Sequence, residues 1–119
     1  MVDTAEDVAG VRLIAHDAGE VESAEDLRSL ALPLRDRLGS DAAVVAVIGI
    51  AKGKPMVLVA TNEAARSEGV KAGQLVRSAA KTLGGGGGGK DDVAQGGGQN
   101  VDAIPEALAG IRREVAERG

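Results

Sequence analysis

Apolar residues return along this chain in two rhythms, and the rhythms predict its elements in order. Leu27, Leu30, Ala31, Leu34 and Leu38 recur at intervals of three and four, which puts them on one helical face. Ser23 precedes that stripe with Glu25 and Asp26 in the first turn, a favourable start, and Gly39 supplies a stop. Arg28, Arg35, Asp36 and Arg37 fall largely off the stripe. Pro33 lies inside it and predicts a kink, because proline removes a backbone hydrogen bond and crowds the preceding turn. Residues 11–15 (VRLIA) have strand character and run into a turn-like His16-Asp17-Ala18-Gly19. Residues 42–51 (AAVVAVIGIA) are almost continuously apolar, as in a strand buried on both faces. Lys52-Gly53-Lys54 then turns the chain into a second strand, 55–60, as an antiparallel hairpin. Strand, helix and strand in succession predict a parallel crossover before that hairpin, so the sheet is mixed.

Further on, 61–69 read as a polar connection. From Val70 a second helix is predicted, burying Ala72, Leu75, Val76, Ala79, Ala80 and Leu83 while Lys71, Gln74, Arg77, Ser78 and Lys81 face away. A last helix begins near Asp102 as cap, with Pro105 in its first turn, and buries Ile104, Leu108, Ile111 and Val115. Gly110 weakens it by about 1 kcal/mol relative to alanine. Residues 1–10 are acidic and without sustained periodicity, and are expected to be a linker or the ragged end of a longer chain. The resulting expectation is an α/β fold. It is a single small domain over 11–119, a mixed β-sheet packed against three main helices, with a glycine-rich loop between the last two.

Composition narrows the chemistry. Phe, Tyr, Trp and Cys are all absent. The core must therefore be aliphatic, no thiolate site or disulfide frame exists, and bases of single-stranded nucleic acid have no aromatic platform to stack on. With a net charge of −4, any attraction to a polyanion has to be local. No apolar run approaches the length of a membrane span and no signal-peptide pattern opens the chain, so the expected compartment is the cytoplasm.

Half of the 18 glycines fall within 84–98, GGGGGGKDDVAQGGG, between the two predicted helices. Ordering six consecutive glycines is entropically costly, which a compact domain tolerates where backbone must approach something closely or where a loop awaits a partner. Gly84 and Gly89-Lys90 give the spacing of a phosphate-binding P-loop, but Asp91 replaces its Ser or Thr and a helix rather than a strand leads in, so nucleotide hydrolysis is set aside. Asp91 and Asp92, adjacent in sequence, read as a solvated turn rather than a catalytic or Mg²⁺ pair. His16 beside Asp17 lacks a nucleophile or second ligand and reads as an ordinary strand-end histidine. No catalytic residue, metal ligand or cofactor is expected. What remains is backbone and basic contact: Lys71, Arg77, Lys81 and Lys90 beside bare peptide groups suit the phosphates and 2′-hydroxyls of a folded RNA, though on the residues alone an ordinary solvated helix face with scattered charges is the stronger reading.

Residues 69–98, GVKAGQLVRSAAKTLGGGGGGKDDVAQGGG, closely resemble the C-terminal, DHH-associated domain (C-Ala) of bacterial alanyl-tRNA synthetases. In that family a KAG…LV helix leads into GG-x-GGG-(Lys/Arg)-Pro-Asp-x-Ala-Gln, matched here by Gly84, Gly85, Gly87, Gly88, Gly89, Lys90, Asp92, Ala94 and Gln95. Gly86 stands where a basic or polar residue is common, and Asp91 where proline is usual. The resemblance implies a non-catalytic tRNA-binding module of a larger ligase. It would contact the elbow of alanine tRNA through Lys71, Arg77, Lys81, the backbone of Gly84 to Gly89, Lys90 and Gln95. It would also help the aminoacylation and editing domains act on one tRNA, without a membrane partner and with weak self-association allowed. The alternatives are the substrate-binding domain of a DHH-superfamily phosphoesterase, which uses a related glycine motif, and a structural or dimerisation module.

Overall fold

The computed structural model describes residues 6–8, 10–37 and 41–117. Strands β1 (Glu6–Val8) and β2 (Val11–Glu20) precede helix α1 (Ala24–Arg37). Then come β3 (Ala43–Ala51), β4 (Lys54–Thr61) and two helices, α2 (Glu63–Ser67) and α3 (Ala72–Thr82). Strands β5 (Gly86–Gly89) and β6 (Val93–Gly97), a 3₁₀ turn (Val101–Ala103) and α4 (Ile104–Glu117) complete the chain. One six-stranded sheet runs in the order β1-β2-β3-β4-β6-β5. Only β2 and β3 pair in parallel, and α1 makes the crossover between them; the other four pairings are antiparallel. The sheet is mixed, as the order of apolar runs implies.

Alternation along β3 divides the core in two. Val44, Ala46 and Ile48, with Val57 and Val59, face a layer built from α3 and α4. Val45 and Val47, with Leu58 and Ala60, face Leu27, Ala31 and Leu34 of α1. A strand covered on both faces needs apolar residues at every position, which explains the unbroken run in its sequence. The β3–β4 turn is a two-residue one, with Lys52 at φ 53° and Gly53 at φ 78°, the left-handed pair that matches strand twist.

Several expectations change. Residues 6–8, read as part of a linker, form β1 against Val11–Leu13, while 1–5 lie outside the described residues. The apparent turn at His16–Gly19 is a bulge inside β2: pairing with β3 slips between Asp17 and Gly19, and the Asp17 carboxylate accepts the Gly19 N–H at 2.9 Å. Helix α1 continues through Pro33, which sits on its exposed side, where the carbonyl that proline leaves unpaired is not forced into the core. Leu38 and Gly39, the expected end of that helix, are outside the described residues. The polar connection 61–69 holds α2, capped by the Asn62 side chain on Ala65 N–H. Asn100 rather than Asp102 caps the last helical segment, because the chain enters α4 through a 3₁₀ turn. The largest change concerns the glycines: they form a β-hairpin, not a loop.

Candidate nucleic-acid interface

The hairpin begins where α3 stops. Gly84, at φ 84°, takes the left-handed position that ends the helix; its N–H donates to Lys81 O at 3.0 Å and Gly85 N–H donates to Ala80 O at 2.9 Å. The chain then doubles under its own helix. Gly87 pairs with Gly96 and Gly89 with Ala94 on the α3 side of the sheet, and the helix rests almost on the backbone. A Cβ on Gly96 would come 2.8 Å from Gly87 Cα and 3.0 Å from the Val76 side chain. A Cβ on Gly73 of α3 would come 2.8 Å from Gly89 O. Side chains at these positions would drive helix and sheet apart. The sequence needs glycine here for packing.

The turn that follows is tied down. Thr61, fully buried and the one buried polar side chain among the described residues, donates from Oγ1 to Asp91 O at 2.6 Å. Ala72 N–H donates to the same carbonyl at 2.9 Å, and Thr61 N–H donates to Asp92 O at 2.8 Å. Arg66 donates to Thr61 O at 2.7 Å, and the Asp92 carboxylate turns back to accept Val93 N–H. Residues 90–92 are therefore fixed between the end of β4 and the start of α3.

The other face of the hairpin is different. Sheet alternation puts Gly86, Gly88, Gln95 and Gly97 on the side of α1, but α1 packs over β3 and β4 and leaves β6 and β5 uncovered. Around a Cβ built on Gly86 or Gly88 there is nothing within 4 Å. Two hollows open on this face. One, of about 630 Å³, runs from Gly86 and Gly97 past Met56 to Lys52 in the β3–β4 turn, Lys54 at the start of β4 and Glu22 ahead of α1. The other, of about 320 Å³, lies between Gly88, Lys90, Asp92, Gln95 and Arg28 of α1. Strand β5 is also the last of the sheet, so its outer peptide groups have no strand partner.

Of the residues singled out in the sequence, the structure gathers Gly84 to Gly89, Lys90 and Gln95 in one hairpin. It does not bring Lys71, Arg77 and Lys81 to the uncovered face. Arg77, one turn after Gly73, and Lys81, one turn later, follow the exposed flank of α3 above β5. Lys71 lies on the flank towards α4, where Ser78 donates to Glu114 at 2.6 Å, and shares a separate hollow of about 400 Å³ with Gln74, Glu114 and Glu117. Arg28, Lys52 and Lys54 were not marked by the sequence. They reach the hairpin only through the crossover and the β3–β4 turn, and no local motif announces them. Among the described residues no three His, Asp or Glu gather as a metal site, and no helix is long and apolar enough to cross a membrane.

The DHHA1 domain family profile matches residues 10–117. The alanine–tRNA ligase of Paenarthrobacter aurescens is 61% identical over 118 residues, covering 99% of this chain; the chain spans 13% of that relative's length. Among solved structures, the C-Ala domain of Aquifex aeolicus alanyl-tRNA synthetase superimposes with a TM-score of 0.84 at 32% identity, over 94% of this chain and 97% of that one. The DHH domain of a member of a ribosomal protein family superimposes at 0.65 with 14% identity, over 96% of this chain and 28% of that one, a likeness of fold alone.

Proposed function

This chain belongs to the DHHA1 domain family, with the fold of the alanyl-tRNA synthetase C-Ala domain, and from that premise we propose that it is a non-catalytic tRNA-binding module. In this reading it meets the elbow of alanine tRNA and helps the aminoacylation and editing domains of a parent synthetase act on one tRNA in the cytoplasm. The observation that carries the reading is the uncovered face of the glycine hairpin. There, the bare main chain of Gly86, Gly88 and Gly97, interrupted by Gln95, lies open between Arg28 and Lys90 at one end and Lys52 and Lys54 at the other, with Asp92 and Glu22 beside them. Such a surface follows contour and phosphate position and cannot read a base sequence by stacking, which suits a folded RNA. Lys90, Gln95 and the backbone of Gly84 to Gly89 make the contact, Arg77 and Lys81 flank it above β5, and Lys71 adds charge from a distance. The phosphoesterase reading has only the likeness of fold behind it and is not advanced.

Titration of the chain with alanine tRNA and with a non-cognate tRNA, each at two salt concentrations, tests this. Binding should weaken steeply with salt, and the two tRNAs should differ by less than 100-fold, about 2.8 kcal/mol. A larger preference would mean that bases are read, and would contradict recognition by contour.

A further inference from the structure

We propose that Arg28 and Lys90 close on a single backbone phosphate of the bound RNA above Gly88, with Gln95 meeting the adjoining ribose. The inference rests on the reading of the hairpin face as an RNA surface and assigns a clamp within it. Arg28 lies sixty-two residues before Lys90 in sequence, on the exposed side of α1, yet both line one hollow with Gly88 and Gln95. Among the described residues, neither Arg28 nor Lys90 makes an ion pair or a hydrogen bond from its side chain. One carboxylate, Asp92, lines the same hollow; its Oδ1 accepts Val93 N–H at 2.9 Å, and its charge subtracts from the pull of the two cations without cancelling it.

At Gly88 the floor between the two cations is bare main chain, and a Cβ there would find nothing within 4 Å; Val93 and Gln95 line the rest. A phosphodiester can therefore descend to the main chain with a guanidinium on one side and an ammonium on the other. Arginine presents a planar fork that matches two phosphate oxygens, and lysine adds a point charge. Gln95 stands opposite Gly88 in the hairpin register, is exposed, and offers both a donor and an acceptor to a 2′-hydroxyl. The hollow, about 320 Å³, sits at the lower end of the range for small-ligand pockets, so it takes one nucleotide unit of the backbone rather than a duplex. Thr61 and Ala72 hold the Asp91 carbonyl, which fixes the main chain from which the free Lys90 side chain extends.

The test is a set of tRNA titrations with the 119-residue chain, Arg28→Gln, Lys90→Gln, the double variant and Gln95→Glu. Arg28→Gln should weaken binding about tenfold and lower the salt slope by about one. Because both cations hold one phosphate, the double variant should lose clearly less than the product of the two single losses. Full multiplication of the losses would place the cations on separate phosphates and overturn the clamp. So would wild-type binding by Arg28→Gln beside weakened Lys90→Gln, an outcome that leaves the hairpin reading standing. Wild-type binding by both Lys90→Gln and Gln95→Glu would remove that reading and the clamp together. An excess of adenosine monophosphate should leave the bound tRNA in place; displacement at comparable concentrations would make this a mononucleotide site and overturn the assignment to RNA backbone.

Discussion

The two faces of the glycine hairpin use the same residue for opposite ends. Beneath α3, Gly87 and Gly96 are small because Val76 and the facing strand press on them, Gly89 because Ala94 stands opposite, and Gly73 of the helix because Gly89 O lies against it. On the far face, Gly86 is small beside empty space and in an ordinary backbone conformation; Gly88 also has open space beside it, but its φ of 158° favours glycine on its own account. Glycine required by packing is a structural statement; glycine facing solvent leaves main chain bare for a partner. The lesson is that a run of identical residues is not a single feature. Sheet alternation divides it into a half that holds the domain together and a half that the domain presents.

Substitution can break this contrast or sharpen it. The largest effect should come from Gly96→Ala. Its new methyl would meet Gly87 and Val76 at 2.8 and 3.0 Å, and the forced separation of helix and hairpin should cost about 2 kcal/mol or more. Thermal unfolding measures this, at roughly 4 °C of Tm for each kcal/mol in a domain of this size. A Gly96→Ala protein as stable as the parent would show that α3 does not bear on the strand. Thr61→Val comes next, with a loss of about 1 kcal/mol, since it deletes one of two donors to Asp91 O while Ala72 N–H keeps the carbonyl satisfied. Amide exchange at residues 90–92 should quicken in the same variant, and unchanged protection there would mean the turn is held by something else.

Gly86→Lys should have the smallest effect on stability, within about 0.5 kcal/mol, because the position is open and the backbone is in an ordinary conformation. Its tRNA affinity should rise, with a steeper salt dependence, as it adds a cation to the open face. A destabilised Gly86→Lys would erase the difference between the faces. Stability retained without any gain in affinity would keep the packing contrast but move the RNA elsewhere.

How much of this was legible in the sequence follows from how local each signal is. The buried stripe of α3 was complete from Ala72 to Leu83 because helix periodicity is carried by the segment itself. The β3–β4 hairpin could be read because an apolar run, a Lys-Gly turn and a second run lie in sequence. Strands β5 and β6 could not be. Four successive glycines show no alternation and little strand preference, and β6 pairs with β4, more than thirty residues earlier, so the sheet imposes the conformation. At β1, three residues have too short a pattern to announce a strand. In the candidate site, Lys90 and Gln95 lay beside the glycines and were found with them. Arg28 was visible only as a residue off a helical stripe, and its approach to Gly88 depends on where the crossover lays α1 across the sheet.

The central claim, that the bare face of the hairpin is what meets RNA, is tested most directly by backbone amide NMR of the labelled chain as tRNA is added. The account predicts that the largest shifts fall on Gly86, Gly88, Lys90 and Gln95 with Arg28 beside them, and that residues along the α4 flank of α3 stay nearly still. Shifts concentrated on Lys71, Gln74 and the neighbouring turn of α4, with the glycine amides unmoved, would contradict it.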